Sequence, residues 1–153
     1  MIPAFIDGLN LPVGGHECTL AELEDRFAQN EHRRALFQIL VEVMRLARRC
    51  GFLHVLLGGS FPTAKECPQD IDVSWFCPPG TTKTSVREEC IKIMEDTADQ
   101  GNFLFIPFDS GTNPEEWPTK MAYWSQQLGF DFKTKTDRGV LLLNLSDDDP
   151  RLH

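Results

Sequence analysis

Between Glu31 and Cys50 the apolar residues Leu36, Leu40, Val43, Met44 and Ala47 recur three and four positions apart. That spacing draws one stripe along a helix, and Gly51 suits the position just past its end. Thr19-Leu-Ala-Glu22 has the form of a capping box and predicts a shorter helix, Leu20 to Phe27, ahead of it. Two mainly apolar runs follow, Phe52 to Leu57 and Ile71 to Phe76, each the length of a buried strand. Ser85-Val-Arg-Glu88 opens another capped helix reaching Ala98, and Gly101-Asn102 turns the chain into a strand from Phe103 to Phe108. A last helix starts at Pro118, where a missing N–H costs nothing, and stops at Gly129. Phe130 to Lys135 and Val140 to Leu145 then read as strands around the turn Thr136-Asp137-Arg138-Gly139.

The predicted order is α, α, β, β, α, β, α, β, β. It implies one α/β (α+β) layer structure, a mixed sheet of about five strands packed with helices. With 153 residues, 41% of them hydrophobic, and no repeat or linker, the chain reads as a single domain, 1–153. Residues 1–17 read as an N-terminal arm with a turn at Asp7-Gly8. Residues 146–153, containing Asp147-Asp148-Asp149, read as a solvated acidic tail.

Composition narrows the function classes. A net charge of −8 opposes general DNA binding and anionic membrane surfaces. The chain has no apolar run of membrane-spanning length and no signal pattern at its start, so the expectation is a cytoplasmic protein. Five scattered cysteines without a C-x-x-C pair argue for free thiols rather than disulfides or structural zinc.

The chemistry concentrates in "GGSFPTAKECPQDIDVSW", Gly58 to Trp75. Residues two apart on a strand share a face, with α-carbons ~6.5–7 Å apart, so Asp70 and Asp72 project together while Ile71, Val73 and Trp75 face the other way. Two carboxylates so close repel, and a divalent cation between them removes that penalty. Oxygen ligands suit Mg²⁺, which completes its shell with water and phosphate. Upstream, Gly58-Gly59-Ser60 ends a strand where backbone N–H groups can approach an anion and a hydroxyl can add a donor. A phosphate cradle beside a metal-binding pair is what phosphoryl or nucleotidyl transfer needs. Asp109, closing the third strand, is the candidate third carboxylate, with Asp7 and the acidic tail as alternatives. The bland alternative is an ordinary turn followed by a solvated strand face.

Gly59-Ser60, nine intervening residues and Asp70-Ile71-Asp72 resemble the signature of the polymerase-beta-like nucleotidyltransferase superfamily. Further pieces look like a group of small bacterial and phage proteins assigned to that fold: "MIPAF", "GGHECTLAELEDRF" with Asn30 and Arg33-Arg34, and "FDFKTKTDRGVLLLNL". The resemblance implies a minimal nucleotidyltransferase fold. It implies that Gly58, Gly59 and Ser60, with Lys65 beside them, contact the triphosphate, and that Asp70, Asp72 and Asp109 hold Mg²⁺ or Mn²⁺ and form the catalytic centre.

The expected activity is transfer of a nucleoside monophosphate from an NTP to a protein or RNA acceptor, in a toxin–antitoxin or phage-defence setting. The competing expectation is an inactive member of the fold serving as a binding module. Among the remaining residues, His16 reads as a local hydrogen-bonding group. Arg33, Arg34, Arg45, Arg48 and Arg49 lie on one long helix and read either as a solvated basic face or as a docking surface for an RNA or an acidic partner. Lys133, Lys135 and Arg138 read either as neighbours of the substrate's charge or as flanks of a turn.

Overall fold

The structure is a computed structural model that describes residues 1–49, 51–69, 71–76, 92, 96, 103–108, 114–146 and 148–153. Its strands are β1 (Gly14–Cys18), β2 (His54–Gly59), β3 (Ile71–Phe76), β4 (Phe103–Phe108), β5 (Phe130–Asp131), β6 (Thr136–Asp137) and β7 (Gly139–Asn144). The helices are α1 (Leu20–Phe27), α2 (Glu31–Arg49) and α3 (Trp117–Leu128). Of the helix expected from Ser85 to Ala98, Lys92 and Asp96 have helical backbone, and the rest lies outside the described residues.

Local sequence explains the helix ends. The Thr19 hydroxyl accepts from the Glu22 amide at 3.1 Å while the Glu22 carboxylate accepts from the Thr19 amide at 3.1 Å, a complete capping box. Asn30 Oδ1 accepts from the Arg33 amide at 2.8 Å and so caps α2. At the other end of α2 the Gly51 amide donates to Arg48 O and the Phe52 amide to Ala47 O. Gly51 at φ +92° supplies the left-handed residue that this paired closure requires.

Five strands form one mixed sheet in the order β1-β7-β2-β3-β4. The pairs β7–β2 and β2–β3 are antiparallel; β1–β7 and β3–β4 are parallel. On one face Val55, Leu57, Ile71, Val73, Leu141 and Leu143 pack against Leu20, Leu23 and Phe27 of α1 and the stripe Leu36, Phe37, Leu40, Val43, Met44 and Ala47 of α2. On the other face Leu56, Val140 and Leu142 meet Leu128 of α3, with Met121 and Trp124 alongside. The mixed α/β class expected from the periodicity is what forms.

Three expectations are corrected. Residues 14–18 are not part of a loose arm: GGHEC pairs in parallel with β7 as an edge strand. The run from Phe130 to Lys135 is not one long strand. Asp131 Oδ1 accepts from the Lys133 amide at 3.0 Å and folds the chain back, so the small β5–β6 hairpin forms, and Thr136 and Asp137 belong to a strand rather than a turn. The chain end is docked, with Leu152 only 2% exposed.

Candidate functional site

The antiparallel register of β2 and β3 brings the two halves of the Gly58–Trp75 motif together. Gly58 lies directly across from Asp72 and Gly59 from Ile71. Alternation sends Ile71 and Val73 into the α1–α2 core, so Asp72 projects to the α3 face, where it is half-buried. Gly59 has φ +74°, a left-handed conformation suited to glycine, and releases the chain from β2 into the segment that begins with buried Ser60.

Gly58 has a second reason to lack a side chain. A Cβ there would stand 2.8 Å from Leu128 Cγ and 3.3 Å from Leu128 O. The glycine lets the end of α3 press against β2 immediately beside Asp72. Ser74, two residues along the same face, has a fully buried hydroxyl with no hydrogen-bond partner among the described residues.

The segment after Ser60 is held from α2. Arg33 is 5% exposed, and its guanidinium donates to Phe61 O at 2.8 Å, Thr63 O at 2.7 Å, Phe27 O at 3.2 Å and Lys65 O. The group stacks near the Phe27 and Phe61 rings, 5.8 and 5.4 Å from their centroids. Burial lowers its pKa, but a guanidinium stays charged in proteins, so the carbonyls face a permanent cation. Asn30 Nδ2 donates to Glu66 O at 2.8 Å, and His32 Nε2 lies 2.7 Å from Pro68 O. Thr63 Oγ1 donates to Ser60 O at 2.6 Å and accepts from the Lys65 amide at 3.2 Å. The loop between the two strands is thus fixed by side chains of the first turn of α2. The reading of Arg33 as part of a solvated basic face is corrected: it is an internal strut.

Among the expected site residues, Gly58, Gly59, Ser60 and Asp72 are gathered at one end of the β2–β3 pair. Lys65 is exposed on the loop, and its backbone carbonyl serves Arg33. Asp70 and Asp109 lie outside the described residues. The strand that precedes Asp109 is adjacent to β3, as expected, but it runs parallel. Asp72 is therefore level with Leu104, whereas Phe108 is level with Phe76, four residues or ~13 Å farther along. Among the described residues, no group of three or more His, Cys, Asp or Glu side chains is placed to hold a metal ion. Asp72 with the backbone around Gly59 and Ser60 has the donor chemistry for Mg²⁺ and phosphate, with Asp70 the second carboxylate of the motif.

Other reactive side chains sit at the opposite end of the sheet. A cavity of about 310 Å³ is lined by Glu17, Cys18, Glu22 and His54 among others. Burial first, and then the Glu22 charge, push the Cys18 thiol up to about 12, and burial lowers the His54 pKa against the opposing pull of Glu17. A thiol so protonated is a packing group and not a nucleophile. His16 behaves as its local reading expects, with Nε2 2.6 Å from Pro12 O.

No curated protein and no solved structure matches the chain. A family model does match, over residues 3–144, and its description is "Family of unknown function (DUF6932)". The match spans nearly the whole sequence and includes every element from β1 to β7, so the chain belongs to this family.

Proposed function

We propose that this protein is a cytoplasmic, Mg²⁺-dependent nucleotidyltransferase that moves a nucleoside monophosphate from an NTP to a protein or RNA acceptor. One observation carries the reading. Gly58 and Asp72 are register partners, so the glycine-serine strand end and the D-x-D strand share one end of one antiparallel pair. Gly59, Ser60 and the Arg33-braced loop would receive the triphosphate, while Asp72 and Asp70 would hold the metal. Bound there, Mg²⁺ or Mn²⁺ would supply positive charge to offset that of the triphosphate and of the departing group. The acceptor hydroxyl oxygen forms a bond to the α-phosphorus as the bond to the β-phosphate oxygen breaks. Its proton passes to base or solvent, and pyrophosphate leaves. A toxin–antitoxin or phage-defence setting is the physiological context we attach to this activity.

A second reading is favoured by the β3–β4 register, in which an apolar residue, Leu104, is level with Asp72. A chain that keeps the fold but lacks a third carboxylate at that level would serve as a binding module. The two readings part in a direct assay. With labelled ATP, GTP, CTP and UTP, Mg²⁺ or Mn²⁺ and cell extract, the transferase labels an acceptor, and Asp72→Asn abolishes the label. Label that persists in Asp72→Asn removes this site from consideration. An absence of Mg²⁺-dependent NTP affinity by calorimetry selects the binding module.

A further inference from the structure

The connection from α3 to β7 carries a feature that nucleotide binding does not require. Phe132 is 81% exposed, and the Lys133 and Lys135 side chains beside it are also exposed. Water does not favour an apolar ring held that far out unless something covers it. The surrounding hairpin is organised rather than loose. Asp131 accepts from the Lys133 amide and from Thr134 Oγ1, both at 3.0 Å, and pairs with Arg138 at 3.6 Å. Thr134 and Thr136 hydroxyls meet at 2.6 Å. Phe130 supports Phe132 edge-on, with centroids 4.9 Å apart and planes at 86°. Lys135 closes the turn at φ +54°. Arg138 is thereby occupied within the hairpin, whose exposed side chains include the Phe132 ring, the ammonium groups of Lys133 and Lys135 and, at its far end, the Asp137 carboxylate.

The hairpin also stands at the site end of the sheet. It returns into β7 at Gly139, and Leu141 is level with Leu57, so the start of β7 lies beside the end of β2. It leaves α3 just after Leu128, the residue pressed on Gly58. We infer that the β5–β6 hairpin docks the end of a single-stranded RNA, with Phe132 stacking on a base and Lys133 and Lys135 meeting adjacent phosphates. This rests on the transferase reading for its purpose, since the docked strand would offer its terminal hydroxyl to the Asp72 end of the sheet. Charge complementarity selects the partner. On a chain of net charge −8, a long duplex would bring many phosphates against an acidic body. A short single strand needs only the local cations and one base face.

Fluorescence anisotropy with a labelled ten-nucleotide oligo(A) RNA, in EDTA and low salt, tests the inference. Wild type binds, and Phe132→Ala weakens binding roughly tenfold, as expected for loss of one stacked base. Lys133→Ala and Lys135→Ala each flatten the dependence of log affinity on log salt by about 0.7. The exposure of all three side chains keeps these variants folded, which circular dichroism checks. Wild-type affinity in Phe132→Ala, equal affinity for a ten-nucleotide oligo(dA) DNA, or equally effective competition by polyglutamate overturns the inference. An Mg²⁺·ATP titration of the wild-type chain reads the nucleotide site separately. Nucleotide binding without RNA binding overturns the docking inference alone, and RNA binding without nucleotide binding overturns the transferase reading alone.

Discussion

Arg33 shows how much of the site geometry depends on one side chain away from the motif. Its guanidinium reaches the carbonyls of Phe27, Phe61, Thr63 and Lys65, and so ties α1, α2 and the loop after Ser60 into one unit. A lysine offers a point charge in place of a planar fork and cannot span these acceptors. Arg33→Lys should therefore cost roughly 2–3 kcal/mol, since it strands buried acceptors at about 1–3 kcal/mol each with incomplete compensation. Arg33→Met should cost more, because it leaves every acceptor without its donor. Urea denaturation measures both, and a change under 0.5 kcal/mol in Arg33→Met would contradict the strut. Sequence did contain a signal for this role: Arg33 stands three and four residues before Leu36 and Phe37, on the same stripe that defines the buried face of α2. The signal is weak because a charged residue on a helix is usually solvated. Asp72, by contrast, was legible, because period-two alternation fixes its face once Ile71 and Val73 are buried. The reason for Gly58 was not, since Leu128 comes from a helix seventy residues later and only packing brings it there.

Among the elements, those with strong local signals formed where the pattern put them. The α1 span from Leu20 to Phe27 and the β3 and β4 spans agree with the sequence reading, because capping chemistry and apolar runs act at short range. β1 escaped it. GGHEC has two glycines and no β-branched residue, and it becomes a strand only because β7, from the far end of the chain, offers it a ladder. The C-terminal segment escaped for a related reason. Its acidic run suggested a solvated tail, yet Asp149 Oδ1 accepts from the Arg151 amide at 2.9 Å and starts a single 3₁₀ turn, Pro150–Leu152. Arg151 then pairs with Asp149 at 2.9 Å and Glu24 at 3.1 Å, and Arg45 and Arg48 donate to Arg151 O and Leu145 O. These partners hold Leu152 in the main core, so the basic side of α2 serves as a dock for the chain end. Leu152→Ala should destabilise by about 2–4 kcal/mol, the range for truncating a buried leucine. A thermal melt reads it as a shift of several degrees, and an unshifted melt would return the segment to the status of a tail.

At the scale of the whole molecule, β2 is the central strand of five, with β7 and β3 beside it and helices over both faces. Val55, Leu56 and Leu57 are fully buried, as are Val140 and Leu141 of β7. Opening these strands separates both cores at once, so their amides should exchange only through global unfolding. β1 has a neighbour on one side alone, and Gly15 and Glu17 are exposed. It can detach while β7 remains paired to β2, which is a smaller loss. Native-state hydrogen exchange should therefore place the slowest amides at Val55, Leu57, Leu141 and Leu143. The amides of β1 should exchange at least about 100-fold faster, a gap of about 2.7 kcal/mol. The placement of the candidate site makes this contrast functional. Gly59 and Asp72 belong to the central pair, so that end of the sheet would be held by the most stable part of the fold, while the freely opening edge lies two strands away. Equal exchange in β1 and β2 would mean that the edge does not open separately. β1 and the β2–β3 pair would then unfold as one cooperative unit, and the site end would have no stability advantage over the edge.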